Sequence, residues 1–276
     1  MSKSNTNVKS VLITGCSDGG IGSALAISFA QRGLLVFATT RCISSMSKLE
    51  NLPNVRLLTL DISNATQIRE AVEVVKKETG GRLDYLVNNA GLGRFMPLLD
   101  EPEELLEAKE IFDINVWAQL NVSQAFAPLL IEAKGTIVYI SSLAGQTNVP
   151  WIGVYAASKR AAEILFDTLR LELAPFGVKV TSVISSPVTS LGLTHTEKWV
   201  MPEDSLYDEI REKYTKTVGG DDGSPRMDTN EYAEVVVKRV LAGGGAKFWA
   251  GANAGILKFV LAWMPTFIMV CMTRVT

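Results

Sequence analysis

Tyr155 and Lys159 stand four residues apart in Tyr155-Ala156-Ala157-Ser158-Lys159, so on a helix they share one face, one turn apart. A phenol with an ordinary pKa of about 10 is protonated at neutral pH, and an ammonium group beside it favours the phenolate. Such a pair can give a proton to a substrate oxygen or take one back, which is general acid–base chemistry. Taken alone, the spacing is also that of any amphipathic helix carrying a tyrosine and a lysine.

A second chemistry is written near the start of the chain. Val11-Leu12-Ile13-Thr14 runs into Gly15-Cys16-Ser17-Asp18-Gly19-Gly20-Ile21-Gly22, and an apolar helical pattern follows at once. In a strand, glycine turn and helix of this order, backbone N–H groups at the helix start can approach a pyrophosphate: glycine has no Cβ in the way, and the helix dipole favours the anion. About 20 residues further on, where an NAD site places a carboxylate against the ribose 2′-hydroxyl, stand Thr40 and Arg41. An uncharged residue beside a guanidinium suits a 2′-phosphate, so NADP(H) is expected over NAD(H).

The same turn spells G-x-S-x-G, the nucleophile-elbow pattern of serine hydrolases, with Ser17 as the serine. An elbow serine needs a base, and the one histidine of the chain, His195, lies in a Thr-rich stretch. A lipid serine hydrolase using Ser17 therefore stands as one alternative, and a non-catalytic cofactor-binding module as another. His195→Ala separates the first from an oxidoreductase, since it abolishes triad chemistry and spares hydride transfer.

Composition narrows the field. The 276 residues are 47% hydrophobic and 20% charged, an ordered globular composition. With 27 basic against 29 acidic residues, no global field recruits nucleic acid, and none is expected as a partner. Three scattered cysteines, Cys16, Cys42 and Cys271, without a C-x-x-C, fit neither a disulfide framework nor a zinc site, and predict a reducing compartment with no metal centre. Residues 1–7 carry no apolar stretch of a secretory signal and read as a disordered polar start.

The elements that must position these residues follow from periodicity. Short apolar runs predict strands at Val8–Thr14, Leu34–Thr39, Val55–Leu60, Tyr85–Asn88, Thr136–Ser141, Lys179–Ile184 and Lys247–Ala250. Helical patterns separate them at Gly20–Gln31, Ala65–Glu78, Glu103–Glu132, Gly153–Ala174 and Asn230–Leu241, with Pro102 and Pro175 as boundaries. The alternation predicts an α/β fold, a doubly wound parallel sheet of seven strands, in one domain over residues 8–251. Residues 189–227, polar and turn-rich, read as an inserted loop, a lid over a substrate site. In the tail, 252–276, Phe259 to Thr273 are 15 uncharged, mostly apolar residues interrupted by Pro265. That is short of the about 20 residues a membrane span needs. The stretch reads as a cover for a pocket or subunit interface, or as shallow membrane attachment.

In these motifs the chain resembles the short-chain dehydrogenase/reductase family, over essentially all of residues 8–250. Asn88-Asn89-Ala90-Gly91 after the fourth strand is similar to the family's NNAG segment, and Asp61, followed by Ile62, matches the position that contacts the adenine ring. Asn115 occupies the place of the family's catalytic asparagine, and Ser142 stands 13 residues before Tyr155. The resemblance implies a Rossmann-type oxidoreductase with Asn115, Ser142, Tyr155 and Lys159 as catalytic residues. Lysine would also hold the nicotinamide ribose, serine the substrate oxygen, and asparagine a proton-relay water. Cofactor contacts are implied for Gly15, Ser17, Gly20, Ile21, Gly22, Thr40, Arg41, Asp61, Ile62, Asn88, Ala90 and Gly91. Homodimers or tetramers through the two long helices are implied as well.

Two departures stand out. The glycine turn is one residue longer than the family's commonest form, and Ser185-Ser186-Pro187-Val188-Thr189-Ser190 replaces the usual P-G-x-x-x-T after the sixth strand. Val188 and Ser190 are expected at the carboxamide in that register. The turn, the Ala38-Thr39-Thr40-Arg41 strand end and the apolar tail most resemble the NADPH-dependent 1-acyldihydroxyacetone-phosphate reductases. That likeness implies a lipophilic ketone or alcohol of lipid, steroid, terpenoid or polyketide type, on the cytoplasmic side, soluble or peripheral to endoplasmic reticulum or lipid droplets.

Overall fold

The computed structural model describes residues 8–190, 199–220 and 223–263. Its strands are β1 (Ser10–Thr14), β2 (Leu35–Thr40), β3 (Val55–Thr59), β4 (Tyr85–Asn88), β5 (Thr136–Ser142) and β6 (Lys179–Ser185), followed by the two-residue β7 (Val188–Thr189) and β8 (Met227–Asp228), then β9 (Lys247–Ala250). The helices are α1 (Ile21–Gln31), α2 (Ala65–Thr79), α3 (Leu106–Phe112), α4 (Gln119–Ala133), α5 (Gly153–Leu173), α6 (Arg211–Val218), α7 (Thr229–Leu241) and α8 (Ala254–Trp263). Seven strands form one parallel sheet in the order β3-β2-β1-β4-β5-β6-β9. This is the doubly wound Rossmann-type arrangement that the alternation of strands and helices predicts.

Parallel strands covered on both faces must be apolar throughout, and all five residues of β1 are buried. Their side chains alternate between two cores. Val11, Ile13, Val36 and Val138 meet Leu25 and Phe29 of α1 and Tyr232 and Val236 of α7. Leu12, Phe37, Leu86 and Ile137 meet Ile68 of α2, Phe126 of α4 and Phe166 of α5. The strand order reverses between β1 and β4, and the crevice at the carboxyl ends of those strands is where such sheets bind ligands.

Most predicted bounds move by a residue or two. The expected long helix over 103–132 is present but not α-helical throughout. It starts only after Leu105, held at φ 53°, and passes without a gap from α3 through the π-helical segment Asp113–Ala118 into α4. Within 189–227 the described residues are not all loop: α6 lies inside, and β7 pairs in parallel with β8, tying the two ends together. No helix of the described residues is long and apolar enough to cross a membrane. In α8 no residue is buried, and Ile256, Phe259 and Trp263 project outward. Residues 264–276, with most of the expected apolar tail, lie outside the described residues.

Candidate active site

The glycine turn leaves β1 at Thr14. Gly15 (φ 74°) and Gly19 (φ 75°) adopt the left-handed backbone that glycine permits. Gly22 has no alternative: a Cβ there would lie 2.2 Å from the Gly15 carbonyl oxygen. Gly20 begins α1 without any side-chain cap, and the first helical turn, starting at Ile21, holds no acidic residue. Its backbone N–H groups are thus disposed toward an anion.

Asn89, to which the sequence reading gave no role of its own, holds this turn. Its Nδ2 donates to the carbonyls of Thr14 (2.8 Å) and Gly15 (3.1 Å), while Thr14 Oγ1 accepts from the N–H groups of Asn89 and Ala90, each at 3.0 Å. Asn88 faces away and donates to Ser123 Oγ at 2.9 Å. The next loop residues are gripped from the helix side. Gln119 donates to the Ala90 carbonyl, and Asn115 bonds Leu92 through both its N–H and its carbonyl at 2.8 Å. Asn115, Gln119 and Ser123, four apart, therefore meet Leu92, Ala90 and Asn88 in turn. That polar stripe on a mostly apolar helix was the signal available for Gln119 and Ser123.

At the end of β2, hydroxyls gather: Ser17 Oγ lies 3.0 Å from Thr40 Oγ1 and 3.3 Å from Ser45 Oγ. Ser17 thus has two hydroxyl partners, and His195 lies outside the described residues. Arg41 is exposed beside Asp61. The Asp61 carboxyl is held below its ordinary range by the Ser63 hydroxyl at 2.7 Å, with the Arg41 charge adding to it, and Ile62 is buried next to it. Val188 is buried in β7, and half-buried Ser190 follows that strand.

The side chains expected to react lie around the ends of β4 and β5. Ser142 ends β5, and its Oγ accepts from Ala144 N at 3.1 Å. Tyr155 and Lys159 project from α5, with Lys159 Nζ 5.9 Å from the Tyr155 ring centre and donating to the Ile140 carbonyl at 3.1 Å. Gly91 is the floor: a Cβ there would come within 3.0 Å of Asn115 Oδ1 and 3.4 Å of Lys159 Nζ. Asn115 itself is fully buried, its Nδ2 also donating to Ser158 Oγ at 2.9 Å.

The expected lowering of the Tyr155 pKa by the ammonium group does not hold here. Burial pushes the phenol upward, opposed by Ser142, and pushes Lys159 down to about 8. One cause acts on both, since burial disfavours phenolate and ammonium alike.

A small aromatic core forms on the loops that carry Phe95 and Trp151. Trp199, Met201, Tyr214 and Val218 are buried against Phe95 and Trp151. Tyr214 Oη lies 2.9 Å from the carbonyls of both Phe95 and Trp199, and its ring meets Trp151 edge-on. Trp151 has φ 68°, unusual for so bulky a residue, and its carbonyl accepts from Met96 N at 2.6 Å. Gly93 lies against the Tyr155 ring.

Residues 9–199 match the family described as short chain dehydrogenase. A short-chain dehydrogenase from Penicillium crustosum, PC-15, is 44% identical over 260 residues, covering 94% of each chain. An NADPH-dependent 1-acyldihydroxyacetone phosphate reductase from Schizosaccharomyces pombe is 40% identical over 203 residues, 72% of this chain and 68% of that one. A short-chain dehydrogenase from Burkholderia cenocepacia, solved in complex with NADP, superposes with a TM-score of 0.76 at 25% identity, covering 97% of this chain and 98% of the other. With the glycine turn, the braced loop after β4 and the serine, tyrosine and lysine at one sheet edge, these likenesses place the chain in the short-chain dehydrogenase family of oxidoreductases.

Proposed function

We propose that this chain moves a hydride between NADP(H) and a lipophilic ketone or secondary alcohol, with Tyr155 as general acid or base. The observation that carries the reading is the meeting of Ser142, Tyr155 and Lys159 over the Gly91 floor, beside a glycine turn that a Cβ would fill. Its cofactor is NADP(H). The chain's residues suit it: the α1 N-terminus for the pyrophosphate, Asp61 for the adenine side, and Arg41 with the Ser17 and Thr40 hydroxyls for a 2′-phosphate.

When bound, the nicotinamide gives or takes the hydride. Ser142 donates a hydrogen bond to the substrate oxygen, and Tyr155 passes its proton to that oxygen in reduction or removes it in oxidation. Burial keeps the phenol in the protonated form that reduction requires, while the Ser142 hydrogen bond opposes that shift. Lys159 holds the nicotinamide ribose. The side chain of Asn115 is spent on Leu92 and Ser158, so its backbone carbonyl in the π-helical segment is the group left to anchor a relay water.

The aromatic core around Trp151 and Tyr214 supports a lipophilic substrate, with acyl-dihydroxyacetone phosphate, steroids, terpenoids and polyketides as the classes to try. Residues 8–251 then form the catalytic unit, with 189–227 as the substrate lid. Exposed Trp117, Ile164 and Leu171 suit pairing of two copies through the helices on either side of the site. The outward stripe of Ile256, Phe259 and Trp263 suits peripheral contact with a lipid surface on the cytoplasmic side.

The test is a screen of those four substrate classes with NADPH and with NADP⁺. Turnover with one of them, abolished in Ser142→Ala, is the expected result. Esterase activity that disappears in Ser17→Ala, with no NADP(H)-dependent turnover, would overturn the reading.

A further inference from the structure

Tyr155, Lys159 and Glu163 follow one another at four-residue steps along α5, on one face of the helix. The first two serve the reaction directly, whereas Glu163 is a carboxylate with 0% exposure. Its Oε2 accepts from Ser141 Oγ at 3.2 Å and from Gln146 Nε2 at 2.6 Å. Its Oε1 accepts from Lys247 Nζ of β9, with Arg160 at 3.5 Å, and Lys247 also reaches Asp167 at 3.3 Å. Removing a carboxylate from water is unfavourable unless donors surround it, and apolar packing would serve stability at least as well. So dense a set of partners calls for an account beyond stability.

Two of the partners supply it. Ser141 immediately precedes Ser142, and Gln146 ends the short 3₁₀ turn Leu143–Gln146 that immediately follows it. One oxygen of Glu163 therefore grips the chain on both sides of Ser142. The helix doing the gripping is the helix that carries Tyr155. The turn lies tight against it, since a Cβ on Gly145 would stand 3.1 Å from Arg160 N.

We infer that Glu163 is a positioning residue that sets the placement of Ser142 relative to Tyr155, with Lys247 of the edge strand as its counter-charge. The inference rests on the assignment of Ser142 and Tyr155 proposed above. The clamp touches neither the glycine turn nor the end of β2, so loosening it leaves cofactor affinity alone while the serine hydroxyl drifts from the reacting oxygen. A shift of about 1 Å at a reacting group can cost about a hundredfold in rate.

The experiment compares Gln146→Ala, Glu163→Gln, Ser141→Ala and Ser141→Thr with the parent chain. It measures NADPH-dependent phenanthrenequinone reduction, NADPH binding by fluorescence and thermal unfolding. Gln146→Ala, Glu163→Gln and Ser141→Ala are expected to lose about tenfold or more in kcat with NADPH affinity unchanged, and Ser141→Thr, which keeps the hydroxyl, to recover most of it. Unchanged kcat in Gln146→Ala and Ser141→Ala overturns the clamp, as does a parallel fall of kcat, NADPH affinity and Tm. If Glu163→Gln does not fold, those two variants decide, because half-exposed Gln146 sits outside the cores. Tyr155→Phe distinguishes failure of the catalytic assignment from failure of the clamp. Undiminished turnover there removes the proposed function, whereas lost turnover with an unaffected Gln146→Ala removes only the clamp.

Discussion

The β1–α1 turn and the segment from Trp199 to Val218 hold their shapes by different means. The turn is built of backbone: Gly15 and Gly22 press together where a Cβ cannot fit, and Asn89 binds two main-chain carbonyls. The segment is built of side chains: Trp199, Met201 and Tyr214 share a small core with Phe95 and Trp151. A shape made by backbone tolerates one residue type at a position, whereas a shape made by packed aromatics can be repacked. In the function proposed above, the cofactor chemistry falls on the first side of the site and substrate choice on the second.

Four substitutions can break or sharpen that contrast. Gly22→Ala puts a methyl group 2.2 Å from the Gly15 oxygen, and is expected to abolish NADP(H) binding by calorimetry; retained binding would mean the turn is not set by its backbone. Tyr155→Phe, between the two regions, should leave NADPH affinity near the parent value and lower turnover about 10²–10⁴-fold, as loss of general acid catalysis does. Arg41→Ala tests the cofactor side alone. It should raise KM for NADPH about tenfold and KM for NADH little, the scale of a lost charge-assisted bond; equal small effects would reduce Arg41 to a solvated charge. Tyr214→Phe tests the other region by removing the hydroxyl between the Phe95 and Trp199 carbonyls. It should cost about 1–3 kcal/mol in thermal unfolding, the scale of a buried acceptor left unpaired. It should also shift substrate KM without moving that for NADPH.

The same contrast explains what could be read from residues alone. Seven strands, their order in the chain and the glycine turn were legible because buried parallel strands and tight turns restrict composition locally. Tyr155 and Lys159 were legible because four residues on a helix is a distance. The π-helical segment at Asp113–Ala118 was not, since Asn115 and Gln119 in and beside it meet Leu92 and Ala90, contacts that no local pattern displays. Residues Arg211–Val218 read as loop because their polar composition hides a helix whose two buried residues, Tyr214 and Val218, share a cluster with Trp199, Met201, Phe95 and Trp151 outside it. The rise in the Tyr155 pKa was missed for a similar reason: an adjacent cation is visible in a sequence, and burial is not.

The two rims of the sheet also bear on how the protein behaves in a crowded solution. An open strand edge invites the edge of another molecule, and growth along that direction leads to fibrils. Here β3 follows Pro53 and carries Arg56, whose guanidinium reaches Glu78 and the Pro53 carbonyl. At the opposite rim β9 has only four residues and begins with Lys247, drawn toward Glu163 and Asp167. A charge at each border makes edge-to-edge strand pairing unfavourable, so the lysine that balances a buried carboxylate also guards the rim of the sheet, leaving any pairing of copies to the helices.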